Sequence, residues 1–321
     1  MREWELLEHI RQSSAGQPVA FPQVVIPPGD DCAVVRVGRE SLLLKVDQVI
    51  EGRHVPAVAS WRGGPFAAGL SRGAFLDLVA RKAVARVLSD IAAMAGTPVA
   101  GLASAAVPPA FPGDAARELA EALHRWGARW HCPIVGGDVA TFAATHPGPL
   151  SLSVSVLGTP HPARGAVLRS GARPGDAVYV TGMLGVSLAP DGLGRHVTFE
   201  PRLAEARWLA DMLGANLHAM LDVSDGLGID AARLAATSGV RLELDERHIP
   251  LAPGATIANA LRDGEDYELL FAASGAVPSV CPATGCPVTR LGNVRDGPPG
   301  VVLRAADGST RDVSREGWEH A

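Results

Sequence analysis

The chain has 321 residues, 47% of them hydrophobic, and a formal net charge of −5. That is enough apolar material for two buried cores and too much chain for one typical domain. The acidic balance, with no compensating run of Lys and Arg, offers no long-range attraction for nucleic acid or anionic lipid and favours small-molecule chemistry.

The first ten residues, Met1 to Ile10, have the pattern of a charged amphipathic helix, and no basic segment with an apolar core marks a secretion signal. Gly, Pro, Arg or Asp interrupts every apolar stretch, so no membrane span is expected, and the chain reads as cytoplasmic. Cys32 to Val37 and Ser41 to Val46 read as a hairpin that delivers Asp47 at its far end. A long helix follows over Gly73 to Met94, then a strand over Val99 to Val107. A helix runs from Asp114, a candidate N-cap, to about Trp130, before the short run Pro133 to Val135. Leu150 to Gly158 alternates with period two, as a half-buried strand does. Pro160 to Pro174 is the best joint, dividing the chain into residues 1–160 and 161–321. Beyond it come a strand over Ala177 to Thr181, a helix over Pro201 to Leu213 and a strand over Ala219 to Val223. A helix over Leu227 to Thr237 and a strand beginning at Val240 complete the reading. Strands that alternate with helices, some adjacent as hairpins, indicate mixed α/β halves more than a pure doubly wound sheet.

Acidic stretches follow or sit inside several of these strand-like runs: Gly29-Asp30-Asp31, Val46-Asp47, Gly136-Gly137-Asp138 and Asp222-Val223-Ser224-Asp225. Carboxylates presented at strand ends, with glycines beside two of the groups, suit a hard divalent cation and the polyphosphate it carries. Each has an ordinary alternative. Asp30 and Asp31 follow Pro27-Pro28-Gly29 as a surface turn would. Asp47, inside so apolar a run, needs either a metal or an ion pair. Gly136-Gly137 is either a place where backbone nears a phosphate or a hairpin turn. Ser224 or Asp225 suits an N-cap. Lys82, Arg86 and Asp90 fall at four-residue steps on one helix face, which reads as a solvated salt-bridge ladder unless Asp90 is a ligand.

Neither a G-x-x-x-x-G-K-[ST] loop, a G-x-G-x-x-G fingerprint nor a G-x-S-x-G elbow is present. His54, His131 and His161 lack metal-ligand spacing. Cys32, Cys132, Cys281 and Cys286 are too few and irregular for a disulfide scaffold or a zinc site, although a local Cys281–Cys286 crosslink stays open on spacing.

In order along the chain, Gly29-Asp30-Asp31-Cys32-Ala33, Val46-Asp47 with Glu51-Gly52-Arg53-His54, Leu88-Ser89-Asp90-Ile91-Ala92-Ala93-Met94 and Gly136-Gly137-Asp138 are followed by four more motifs. These are Leu168-Arg169-Ser170-Gly171-Ala172, Asp222-Val223-Ser224-Asp225-Gly226-Leu227, Gly264-Glu265-Asp266-Tyr267-Glu268-Leu269 and Gly317-Trp318-Glu319-His320. Together they resemble the thiamine-monophosphate kinase family of the aminoimidazole-ribonucleotide-synthetase-like superfamily. The resemblance implies ATP-dependent phosphorylation of thiamine monophosphate to thiamine diphosphate by a homodimer. It implies a mixed α+β two-domain fold, in which residues 1–160 build a β-barrel across the dimer and bind ATP and metal, and residues 161–321 form a second α/β half. By resemblance Asp30, Asp47, Asp90, Asp138, Asp222 and Asp225 are Mg²⁺ ligands, Gly137, Arg169 and Ser224 contact ATP, and His54, Glu265 and Trp318 border the thiamine phosphate. Phosphoryl transfer needs positioning and charge neutralisation more than a covalent nucleophile, so no catalytic nucleophile is expected.

The chain departs from the family pattern at Lys45-Val46-Asp47, where Thr-Thr-Asp is usual, at Arg86, where a small or amide residue is expected, and after Gly182–Ser187, where Ala189-Pro190-Asp191 replaces Gly-Leu. Alternation puts Lys45 on the face of Asp47, so the ammonium is expected to pair with a carboxylate and reduce the number of bound Mg²⁺ ions. Rival readings are another ATP-dependent synthetase of the superfamily and a degenerate nucleotide-binding member without turnover. Selenophosphate synthesis would want a reactive Cys near the amino terminus, where the first is Cys32, and hydrogenase maturation a C-terminal Cys, where the sequence reads Trp-Glu-His-Ala.

Overall fold

Two sheets carry the fold of this computed structural model, which describes residues 3–62 and 66–318. The elements are α1 (Glu3–Ser14), α2 (Gln17–Ala20), β1 (Val24–Ile26), β2 (Ala33–Val37), β3 (Glu40–Ile50), α3 (Arg72–Ala93), β4 (Thr97–Val107), α4 (Gly113–Arg129), β5 (Ile134–Thr141), β6 (Ser151–Thr159) and β7 (Ala177–Thr181). They continue with α5 (Leu203–Leu213), β8 (Leu217–Val223), α6 (Leu227–Ser238), β9 (Arg241–Asp245), α7 (Ile257–Arg262), β10 (Glu268–Ala273), β11 (Val288–Arg295), β12 (Gly300–Arg304) and β13 (Thr310–Asp312).

The first sheet runs β1-β2-β3-β6-β4-β5, antiparallel except for the parallel pair β4 and β5. Its centre is β6, whose strict alternation turns Leu152, Val154, Val156 and Gly158 inward and three serines outward. The inward face packs on α3, a helix buried over most of its length whose first turn is capped by the Ser71 hydroxyl accepting from the Ala74 N–H at 3.2 Å. α3 stops at Met94, and Gly96 follows where a Cβ would strike the Leu43 side chain, so only glycine lets the chain turn that close to β3.

The second sheet runs β13-β12-β9-β11-β7-β10-β8. Its central strands β7 and β10 are buried at every residue, because α6 and α7 cover one face and α5 with the end of α3 covers the other. Continuous apolar runs with no alternation are the sequence mark of such two-sided burial. The four cysteines are free and buried. Cys281 and Cys286 lie opposite each other in a tight turn, where the Cys281 N–H donates to the Cys286 carbonyl at 2.8 Å. Among the described residues no helix is long and apolar enough to cross a membrane.

Several local expectations need correction. β3 does not end at Asp47: it pairs with β6 as far as Ile50, so Asp47 sits inside a strand. Likewise β5 runs through Gly136-Gly137-Asp138 to Thr141 because β4 supplies backbone partners along its whole length. A Cβ on Gly137 would collide with the Ala103 carbonyl, so this glycine serves strand contact, not a turn. Asp114 is not the N-cap of α4. That position is Pro112, and Asp114 lies in the first turn, paired with Arg72 at 2.6 Å. Nor does Ser224 or Asp225 cap α6, whose N-cap is Gly226. The Asp230 carboxylate does the tethering instead, accepting from the N–H groups of Ser224 and Asp225 at 3.0 and 2.8 Å.

Candidate active site

Four elements bring acids into one pocket. The loop before β2 delivers Asp31, the last turn of α3 delivers Asp90, and the carboxyl end of β8 delivers Asp222. Each of the three offers a carboxylate oxygen within 4.8 Å of the others. All three are buried, at 1%, 5% and 5% exposure. β3 adds Lys45, whose ammonium donates to Asp90 Oδ1 at 2.6 Å, and Asp47, which is 4.0 Å from Arg86. From the connection between the sheets, Arg169 Nε donates to Asp31 Oδ1 at 3.0 Å, while its backbone N–H approaches both Asp30 oxygens at 3.2 Å. The Ser89 hydroxyl donates to Asp222 Oδ2 at 2.6 Å.

One atom is left over. Asp31 Oδ2 is buried and has no hydrogen-bond partner among the described residues. An unpaired carboxylate oxygen inside a protein is costly, and hard oxygen donors clustered around it are the chemistry of a Mg²⁺ site. The residues present therefore fit a divalent cation.

The pocket holds more negative than positive charge, and its acids respond. Burial, then the charge of Asp31, pushes both Asp30 and Asp222 up to about 6. Burial pushes Asp90 well above the usual carboxylate range, and Asp47, Asp222 and Asp31 add to the push while Lys45 opposes it. For Lys45 burial pulls down, but Asp90, Asp47 and Asp31 outweigh it and keep the ammonium charged.

A second knot of side chains lies beside the first. Lys82, fully buried on α3, donates to the His54 carbonyl at 2.8 Å, meets His196 Nδ1 at 2.6 Å and pairs with Glu265 Oε2. His196 Nδ1 is itself 3.0 Å from the same glutamate oxygen. Burial opposes ionisation of Glu265, yet His196 and Lys82 hold it down at about 2, while burial brings Lys82 down to about 8. Glu265 and Tyr267 have φ of 57° and 53°, a left-handed backbone held by N–H bonds to the carbonyls of Ser224 and Val223 at 2.7 and 2.8 Å. Trp318 is half-exposed beside the knot. Its backbone N–H donates to the Asp225 carbonyl at 2.8 Å, and the Arg53 guanidinium sits 5.4 Å above its ring. Glu319 and His320 of the terminal motif lie outside the described residues.

The structure thus brings Asp90 and Asp222 together, with Asp47 and Arg169 alongside, and gathers His54, Glu265 and Trp318 into a neighbouring group. Asp31, not Asp30, points into the acid cluster; Asp30 is spent on the Arg169 backbone. Asp225 is neutralised by Arg233 at 2.5 Å, beside Asp230 on the same arginine at 2.6 Å. Asp138 is exposed on the edge strand β5. Its register row contains Ser104, Ser153 and Gln48, and alternates with the row of Asp47. Three strand spacings, about 14 Å, separate β5 from β3. Lys82 and Asp90 form no solvated ladder: both are buried, and each finds its partner on a different element. Sequence reasoning missed His196 and the buried role of Lys82. The four-residue spacing flagged Lys82, whereas nothing local distinguishes His196.

Residues 29–159 match the AIR synthase related protein N-terminal domain, and residues 173–304 the corresponding C-terminal domain. The thiamine-monophosphate kinase of Rhodopirellula baltica is 34% identical, with 95% of this chain and 94% of that protein covered. That of Caulobacter vibrioides is 30% identical, over 97% and 88%. Among solved structures, AaThiL complexed with AMPPCP and TMP aligns over 100% of this chain and 97% of its own, with a TM-score of 0.75 and 26% identity.

Proposed function

The chain belongs to the AIR synthase related family, in its thiamine-monophosphate kinase branch, and on that premise we propose that it transfers the γ-phosphoryl group of ATP to thiamine monophosphate, giving thiamine diphosphate and ADP. The observation that carries this reading is the convergence of Asp31, Asp90 and Asp222 around an unpartnered carboxylate oxygen. Mg²⁺ bound there would neutralise phosphate charge, which is what a loose phosphoryl-transfer transition state requires. Asp31 and Asp222 would hold it, with Asp90, already paired with Lys45 through Oδ1, and Asp47 beside them. Arg169, anchored on Asp31, fixes a guanidinium at the rim of the pocket, where an anionic phosphate can reach it.

The second knot suits the acceptor. Glu265, kept ionised by Lys82 and His196, presents a negative charge toward a cationic thiazolium, and the half-exposed Trp318 ring offers a stacking face. His54 is placed by its own Nδ1, which accepts from the Ile50 N–H at 3.0 Å, and by Lys82 on its carbonyl. Exclusion of water between the two groups would favour transfer over hydrolysis.

A homodimer supplies what one chain leaves open. Leu44, Val46, Leu102 and Val135 are 42–66% exposed on the side of the first sheet turned away from α3, lining a shallow cavity of about 490 Å³ that no element covers among the described residues. Packing that face against a second copy would form a barrel across the dimer. It would also carry Gly137 and Asp138 of one protomer toward the acid pocket of the other, the arrangement under which these two could still serve ATP and metal. In this reading residues 1–160 provide dimerisation and metal, and residues 161–321 close the site.

ADP release measured with and without thiamine monophosphate tests the function. Acceptor-stimulated ADP formation that yields thiamine diphosphate is expected. ATP binding without stimulation would overturn it in favour of a nucleotide-binding protein, a reading favoured by the Lys45–Asp90 ion pair inside the pocket.

A further inference from the structure

Four carboxylates, Asp31, Asp47, Asp90 and Asp222, gather at the acid pocket, and each cation there has a definite place. Arg169 meets Asp31 through Oδ1, Arg86 approaches Asp47, and Lys45 meets Asp90 through Oδ1 at 2.6 Å. Lys45 differs from the two arginines in how it arrives. It comes from the middle of β3, fixed in register against Val156 of β6, and reaches across to the last turn of α3. Both its position and its direction are set by the sheet, so it is no mobile surface lysine.

We propose that Lys45 is a resident cation of this pocket: its ammonium occupies a position that a divalent ion would otherwise take between Asp90 and Asp47, leaving metal binding to the Asp31–Asp222 side. The inference rests on the reading of the pocket as a metal site. Two observations divide the pocket this way. Asp31 Oδ2, on a side chain 1% exposed, is the buried oxygen without a partner, so demand for a cation persists there. Asp31 and Asp90 each have a cation on Oδ1, but neither oxygen of Asp90 is buried without a partner among the described residues. An ammonium donates hydrogen bonds and carries a single charge, so it supplies half the charge of a dication and none of its coordination positions. A dication placed next to it would meet direct repulsion. The consequence is a pocket that is partly neutralised before any metal arrives.

Bound Mn²⁺, counted by equilibrium dialysis and electron paramagnetic resonance with and without AMPPCP, and Tm with and without Mn²⁺, test this independently of turnover. Lys45→Met and Lys45→Thr are expected to bind one more Mn²⁺ per chain than the wild type, to melt lower in EDTA, and to gain more in Tm from Mn²⁺. Lys45→Arg should keep the wild-type count. Equal counts in wild type and Lys45→Met, with equal gains in Tm, would overturn the proposal. Should the single variants fail to fold, Lys45→Met/Asp90→Asn decides: an unchanged Mn²⁺ count supports separate positions, and a lost ion shows that Asp90 serves the same metal as Asp31 and Asp222. If the count changes while thiamine monophosphate is not phosphorylated, the kinase reading fails and this inference stands.

Discussion

The acid pocket and the Lys82 knot are neighbours built from the same kinds of residues, and their carboxyl groups shift in opposite directions. In the knot, one glutamate meets a lysine and a histidine, and its carboxyl is held down at about 2. In the pocket, several aspartates share too few cations, and Asp222 is pushed up to about 6. Burial penalises charge in both places; what differs is whether the protein supplies the compensating charge itself. The knot is complete as folded. The pocket is finished by something the chain does not contain, and that difference separates a group whose charges are balanced on folding from one that waits for a cation.

The largest effect expected from breaking this contrast is on the pocket side. Asp222→Asn should lower acceptor-stimulated ADP release by a factor of about 100 or more, the scale of losing one electrostatic contact to a transition state. It should also abolish the metal-induced rise in Tm, while melting no lower than wild type in EDTA at neutral pH. A variant that loses stability without metal would show that the charge of Asp222 is already compensated in the fold, as that of Glu265 is.

Lys82→Met probes the other side. Removing one partner of a buried pair typically costs about 3–5 kcal/mol. Because Glu265 keeps some exposure, about 2–3 kcal/mol is expected in urea denaturation, with no dependence on Mg²⁺. A loss that metal restores would contradict the division between the two groups.

The two regions should also respond to pH with opposite signs. Folded Asp222 binds its proton more tightly than the unfolded chain does, so the metal-free fold loses stability as pH rises from about 4 through about 6, on the order of 3 kcal/mol. Glu265 contributes stability that is fully present above about 4.5 and lost as pH falls through about 2. In EDTA, the Tm difference between wild type and Asp222→Asn should therefore widen from pH 4.5 to pH 7; a gap independent of pH refutes the assignment. The smallest effect is expected at the rim. Trp318→Ala should raise KM for thiamine monophosphate about 3- to 5-fold with kcat little changed, the scale of an exposed cation–π contact, and Trp318→Phe should recover most of it. A fall in kcat at unchanged KM would place Trp318 elsewhere in the reaction.

Local pattern was the readable part of this fold. The alternating serines of β6, the apolar run of β7 and the long run of α3 each satisfy a periodicity that the backbone imposes within a few residues. Boundaries were less readable where the deciding partner is distant. β3 and β5 extend through Asp47 and Asp138 because β6 and β4 pair with them there, and no residue near Gly136 announces that pairing.

The chain's own order of residues determined that acids would lie in or beside strands, that Lys45 would share a face with Asp47, and that the motifs belong to one family. Only the tertiary structure decided that Asp31 and not Asp30 enters the pocket, that Asp225 is taken by Arg233, and that Lys82 finds His196 and Glu265 at separations of 114 and 183 residues. Side-chain direction along a strand or helix follows from backbone geometry and can be counted off a sequence. Which carboxylate is left without a partner depends on every element packed around it, and that balance exists only once the sheets and α3 have closed on one another.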